Sequence, residues 1–153
     1  MSTETESPVQ YGGFWLRFLA HGIDSIVLTL ASWVLERVIL SVFGINREEQ
    51  DPLLVQVFSM GAYLCWAFPY YVWGTYRWGT TLGKRVFRLW VVPISSQGPV
   101  SLGQSVGRTL GYVLSYLPIG CGFLMAAFQP QKRALHDLMA GTRVVHRRPV
   151  RGN

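Results

Sequence analysis

Beyond residue 51 the sequence holds a single acidic residue, Asp137, against eleven lysines and arginines. Acids are scarce throughout, eight in 153 residues, and charged residues of both signs make up only 14%. A water-soluble domain usually carries about a quarter, so the composition argues against one. Paired carboxylates for general acid–base catalysis are missing. Cysteine is equally sparse: Cys65 and Cys121 each lie inside an apolar stretch, with no CxxC and no Cys/His cluster. That pattern argues against zinc, iron–sulfur and disulfide frameworks, and no metal or cofactor is expected. The N-terminus MSTETESPVQ is polar and acidic and lacks the basic opening of a signal peptide. Residues 1–12 are expected to form a disordered polar tail and 149–153 a second short one, flanking one membrane domain over 13–148.

Apolar residues, half of the chain, are abundant. A first run covers residues 14–43, longer than the ~20 residues that cross a bilayer. The polar loop NREEQDP follows, and its Pro52 suits a helix start. A second run, residues 53–73, carries no formal charge. It leads into Trp66, Phe68, Tyr70, Tyr71, Trp73, Tyr76 and Trp78, an aromatic girdle of the interfacial kind. The stretch GTYRWGTTLGKRVFRLWVVPISSQGPV then reads as a short basic helical turn running into a strand. Ser101 and Gln104 have capping-box spacing, so a third helical region begins there and is broken at LPIGCG. The tail predicts a helix over QKRALHDLMA, with Pro130 at its start and Gly141 at its stop. Leu135, Leu138 and Met139 of that helix share a face. TRVVH then reads as a strand whose natural partner is RLWVV.

The lysines and arginines concentrate in residues 74–104 and after residue 129, and both segments therefore favour the cytoplasmic side. The net charge of +6 suits that membrane face better than nucleic acid, which is not expected as a partner. The fold expected is an all-α membrane protein. It has two transmembrane helices, a broken or re-entrant third helical region over 105–128, and a short cytoplasmic β element. Both termini are cytoplasmic, and the location is the cell (inner or plasma) membrane. Three plain crossings are the alternative.

Chemistry concentrates in the first run. Relative to Arg17, His21 lies about 40° and Asp24 about −20° around a helix, so all three share one stripe. An acid at the centre of a span costs roughly 2.5–3.5 kcal/mol. Asp24 lies short of the centre and leans back toward His21. It reads either as a proton or cation site or as a buried polar anchor paired with a basic group. Arg108, early in the third region, is the preferred partner. Asp137, alone among bases, should be ionised and paired, with Arg133 at i,i+4 and Arg17 across the fold as candidates. GTTLGKR fails the GxxxxGK[ST] spacing of a phosphate loop, and no GxSxG occurs, so no catalytic residues are assigned and no enzyme is expected.

Three motifs in order, GFWLRFLAHGIDSIVL, GTTLGKRVFRLWVV and RALHDLMAGTRVV, resemble the RDD family of small integral membrane proteins. The resemblance implies that Arg17, Asp24 and Asp137 are the residues for which that family is named. Gly79, Thr81, Gly83, Lys84 and Arg85 fit its middle motif, whereas Arg88 stands where a glycine is common. It also implies a proposed transport role, with monovalent cation/proton exchange attributed to some members. Exchange through an Arg17, Asp24, Asp137, Arg108 and His21 network would need a homo-oligomer, because two crossings enclose little of a pathway. The alternative is a non-transporting adaptor that scaffolds a partner membrane protein or anionic lipid.

Overall fold

The computed structural model describes residues 11–47, 50–95, 98–116, 125, 128 and 132–146. Helix α1 (Phe14–Phe43) and helix α2 (Pro52–Trp73) are its two long apolar elements. At about 1.5 Å per residue α1 is about 45 Å long, which exceeds the ~30 Å hydrocarbon core. Asp51 starts α2 by accepting the Leu53 N–H at 2.8 Å, and Pro52 occupies the first turn, where its missing N–H costs nothing.

The two helices are inverted relative to helices of a soluble protein. Trp15, Ile26, Leu30 and Val42 of α1 are more than half exposed, as are Leu53, Leu54, Val57 and Phe58 of α2. In water such a surface would aggregate, whereas against acyl chains it is stable. The buried residues of α1 are Arg17, Ala20, Asp24 and Leu28, one stripe at helical spacing. The sequence-predicted stripe of Arg17 and Asp24 thus faces protein, with half-buried His21 beside it.

A π-helical turn (Gly74–Trp78) leads from α2 into α3 (Leu82–Val86) and strand β1 (Trp90–Pro93). Helix α4 (Leu102–Tyr116), helix α5 (Leu135–Met139) and strand β2 (Thr142–Val145) complete the described elements. β1 and β2 pair antiparallel, Trp90 opposite Val145 and Pro93 opposite Thr142, in the pairing that RLWVV and TRVVH predict. Tyr11 and Gly12, assigned by sequence to the tail, lie along β2 instead, with the Gly12 N–H donating to Val144 O at 3.0 Å. Segments distant in the chain therefore meet at one end of the molecule. There Ala20, Leu89, Val91, Val100 and Val144 form one apolar cluster. A second cluster, Leu28, Ala67, Tyr71 and Tyr112, joins α1, α2 and α4.

The close approach of α3 to α1 depends on a glycine. A Cβ on Gly83 would stand 1.9 Å from the Ala20 carbonyl oxygen, so only glycine lets the two backbones touch. α4 opens with the capping box expected of Ser101 and Gln104, whose side chains take each other's backbone N–H at 3.2 and 3.0 Å. The LPIGCG break and the hairpin expected around it lie outside the described residues, as do Pro130, residues 1–10 and the tail from 149. The helix expected over QKRALHDLMA is shorter than its periodicity suggests. Asp137 accepts the Ala134 N–H at 3.2 Å, and the helical turn starts only after it. α5 also turns His136 and Asp137 inward, leaving Leu135 and Leu138 half-buried and Met139 exposed.

Arg88, the departure from the family pattern, sits in the left-handed region at φ 54° with its side chain exposed. A non-glycine residue there costs about 1–2 kcal/mol, partly offset by the greater entropy glycine loses on folding. Arg88→Gly is therefore expected to raise stability by about 0.5–1 kcal/mol, read from unfolding midpoints in detergent. An unchanged or lower midpoint would refute this account of the turn.

Candidate functional site

Two buried carboxylates organise the polar interior. Asp24, fully buried on α1, receives three donors. Its Oδ1 accepts the Tyr70 hydroxyl at 2.5 Å and the Gly83 N–H at 2.7 Å, and its Oδ2 accepts the Thr81 hydroxyl at 2.5 Å. Tyr70 in turn accepts the Leu82 N–H at 3.0 Å. Leu82 and Gly83 are the first residues of α3, whose N–H groups have no intrahelical acceptors. Asp24 and Tyr70 therefore cap α3 from a different part of the chain. The expected ion pair from Asp24 to Arg108 is not formed. Gly83 presses α3 against α1 at the level of Asp24, so backbone and hydroxyl donors reach the carboxylate first, while Arg108 is taken by Asp137.

Asp137 is the centre of the charge cluster. It is fully buried and pairs through Oδ2 with Arg17 Nη1 and through Oδ1 with Arg108 Nη1. The His136 Nε2 stands 3.7 Å from Oδ1. Of the two partners expected from sequence, Arg17 across the fold is the one used; the local Arg133 is not. The backbone of the short α5 turn commits Asp137 to the interior, where α1 and α4 present guanidiniums. Arg17 is fixed further by donating its Nε–H to Gly12 O at 2.9 Å, and Arg108 by donating to the Thr142 hydroxyl at 2.6 Å. One carboxylate thus ties α1, α4 and α5 together, and its two guanidiniums reach on to residue 12 and to β2.

Burial alone would raise the Asp137 carboxyl, but the charges of Arg108 and Arg17 reverse that and hold it well below the usual carboxylate range. It is ionised at any physiological pH. Burial pushes the His136 imidazole well below its ordinary value of 6.5, reinforced by the cations Arg108, Lys84 and Arg17 and opposed by Asp137. His136 is therefore neutral at pH 7. Tyr112 links the groups: its hydroxyl accepts from Lys84 Nζ at 3.0 Å and from Arg108 Nη2 at 3.5 Å. Its ring lies 4.4 Å from that of His136 and 5.6 Å from that of His21, centroid to centroid. His21 also contacts the Tyr71 hydroxyl at 3.2 Å through Nδ1.

The middle motif divides its labour. Gly79 turns the chain at φ 66°, Thr81 and Gly83 serve Asp24, and Lys84 is buried against Tyr112. Arg85 is exposed, its guanidinium 5.3 Å over the Trp78 ring. The sequence reading missed Tyr70, Tyr71 and Tyr112. By composition the first two belong to the interfacial girdle. They stand next to each other in the chain, yet both turn inward toward α1, while Trp66, Phe68, Trp73, Tyr76 and Trp78 stay exposed. Tyr112 falls four residues after Arg108, on the same helix face, and that spacing is the one signal that could have found it.

Removing one member of a buried ion pair leaves the others uncompensated and costs about 3–5 kcal/mol. Asp137→Asn is expected to lose about that much stability in chemical unfolding of the detergent-solubilised chain; a loss typical of surface substitutions would contradict the clamp. His136 generates a pH dependence. The unfolded imidazole takes up a proton near pH 6.5, while the folded one resists until well below it. The unfolded state therefore binds more protons as pH falls, and stability falls with pH through that window. The thermal midpoint should drop from about pH 7.5 to about pH 5.5, and His136→Gln should flatten that slope. A slope unchanged in the variant assigns it elsewhere.

Residues 11–141 match the model of the RDD family. The chain is 34% identical to the uncharacterized protein YxaI of Bacillus subtilis (strain 168) over 149 residues, covering 88% of this chain and 97% of that one. It is 30% identical to the uncharacterized membrane protein YteJ of the same organism over 146 residues, covering 92% of this chain and 84% of that one. No solved structure matches at a significant level. Arg17, Asp24, Asp137 and the Gly83 approach all fall within the matched stretch, on a body of two long apolar helices. The chain is a membrane protein of the RDD family.

Proposed function

We propose that the chain is a non-transporting, non-enzymatic membrane scaffold. In this reading the two spans hold a basic platform of α3, α5 and the small sheet against the anionic cytoplasmic leaflet of the cell membrane. There the platform engages lipid or a partner membrane protein. The observation that carries it is the state of the two buried carboxylates. Asp24 accepts three donors that close the end of α3, and Asp137 is held by two guanidiniums. A cation exchanger needs a carboxylate that alternates between proton and cation, and freeing either one here dismantles packing. Arg77, Arg85, Arg88 and Lys132, by contrast, are exposed. Each such base near an anionic leaflet contributes about 1 kcal/mol of attraction. The meeting of residues 11–12 with β2, itself paired to β1, supports placing both termini and the basic middle segment on one side, and their charge supports the cytoplasmic one.

A second reading, monovalent cation/proton exchange by a homo-oligomer, is favoured by the placement of Asp24 and His21 on the inward stripe of α1. Reconstitution separates the two. Proteoliposomes with an internal pH-sensitive dye and a sodium or potassium gradient are expected to show no flux above protein-free vesicles. Flux that disappears in folded Asp24→Asn protein would overturn the scaffold reading and establish exchange.

A further inference from the structure

We infer that the cavity enclosed by α1, α3, α4 and α5 is an oxyanion site that takes the head group of an anionic membrane lipid. The cavity has a volume of about 40 Å³. A water-sized group needs roughly 10–15 Å³, so the space suits one phosphate-sized group and is too small for a nucleotide. Arg17, Lys84 and Arg108 line it, and Phe14 and Phe18 line it from the first turns of α1. Three cations therefore surround the space with one buried carboxylate, Asp137, among them. A cation is repelled from such a place, and an anion is drawn into it.

The guanidiniums also hold unused capacity. Asp137 takes Nη1 of Arg17 and Nη1 of Arg108, and Gly12 O takes Nε of Arg17. Nη2 of Arg17 and Nε of Arg108 are buried and have no hydrogen-bond partner among the described residues. The two side chains are only 9% and 1% exposed, so both donors are turned away from bulk solvent. A buried charged donor without an acceptor is costly, and guanidinium donors match the oxygens of a phosphate better than any other side chain's. The mouth argues for an acyl-bearing ligand. Phe18 is 59% exposed, with Trp15 beside it at 71%, and both lie in the first turns of the first span, where aromatic side chains favour the membrane interface. A phosphate seated between Arg17, Arg108 and Lys84 would leave its acyl chains running over Phe14 and Phe18 into hydrocarbon. The inference rests on the scaffold reading only in taking the lipid as resident; the oxyanion site stands on the cavity itself.

The test uses the full chain in nanodiscs of phosphatidylcholine, with or without phosphatidylglycerol. Phosphatidylglycerol is expected to raise the thermal midpoint by several degrees, and native mass spectrometry should find it retained on the wild-type chain. Lys84→Met keeps both Asp137 pairs while removing one cation. Phe18→Glu changes an exposed residue and sets a carboxylate at the mouth. Each should weaken phosphatidylglycerol binding about tenfold or more. Inorganic phosphate or tail-less glycerophosphoglycerol, added to phosphatidylcholine discs, should stabilise far less. Stabilisation by either one equal to that of the lipid would overturn the lipid assignment. No retained lipid on the wild type, or undiminished binding in both variants, would overturn the site. Ion flux from a wild type that still binds phosphatidylglycerol would sink the scaffold reading and leave this site standing.

Discussion

The clamp of Arg17 and Arg108 on Asp137 is the constraint on which the rest of the structure depends. Three charged side chains leave water for it, a cost that only mutual pairing and further hydrogen bonds can offset. The arrangement meets that condition in part, through Gly12 O, the Thr142 hydroxyl and the Ala134 N–H. Each of these groups belongs to or adjoins a short segment. α5 has five residues and each strand four. None of them would be stable alone. The ion cluster reinforces the small apolar cluster of Ala20, Leu89, Val91, Val100 and Val144 at that end of the molecule.

Asp24 answers the same problem by a different route. α3 is also only five residues long and would fray in isolation. Its N-terminus is held by a carboxylate and a tyrosine hydroxyl borrowed from α1 and α2, and its backbone lies directly against α1 at Gly83. Negative charge at a helix N-terminus is electrostatically favourable. The middle motif therefore resembles a phosphate loop for a physical reason. Its glycine allows a close approach and its N–H groups face an anion, but the anion is the protein's own aspartate. Lys84, the next residue, points instead into the cationic cavity and joins the two networks through Tyr112.

Much of this was legible in the residues. Hydrophobic run length predicts both spans, and Ser101 with Gln104 announces the start of α4. The β-branched and aromatic residues of RLWVV and TRVVH identify the two strands and their pairing, and one stripe carries Arg17, His21 and Asp24. Periodicity in RALHDLMA overextends the helix around Asp137, because it continues across the point where the Asp137 carboxylate caps Ala134. Tyr70 and Tyr71 look interfacial in the sequence because composition shows an aromatic cluster without showing which way each ring turns. In a helix that follows from rotation about the axis, and the π-helical turn after Trp73 shifts the phase of what comes next.

The sequence alone determined that the chain is a membrane protein with two apolar spans, a basic flank and a lone late carboxylate that must find a basic partner. These are properties of composition, spacing and local propensity, and none of them requires knowing which segments meet. Only the tertiary structure decided that Arg108 serves Asp137 while Asp24 is satisfied by hydroxyl and backbone donors. The reason is physical. In a chain with so few acids and so many bases, every carboxylate has several chemically acceptable partners. Distance in the folded state selects among them, and Gly83 against Ala20 sets that distance on one side as the α5 turn sets it on the other.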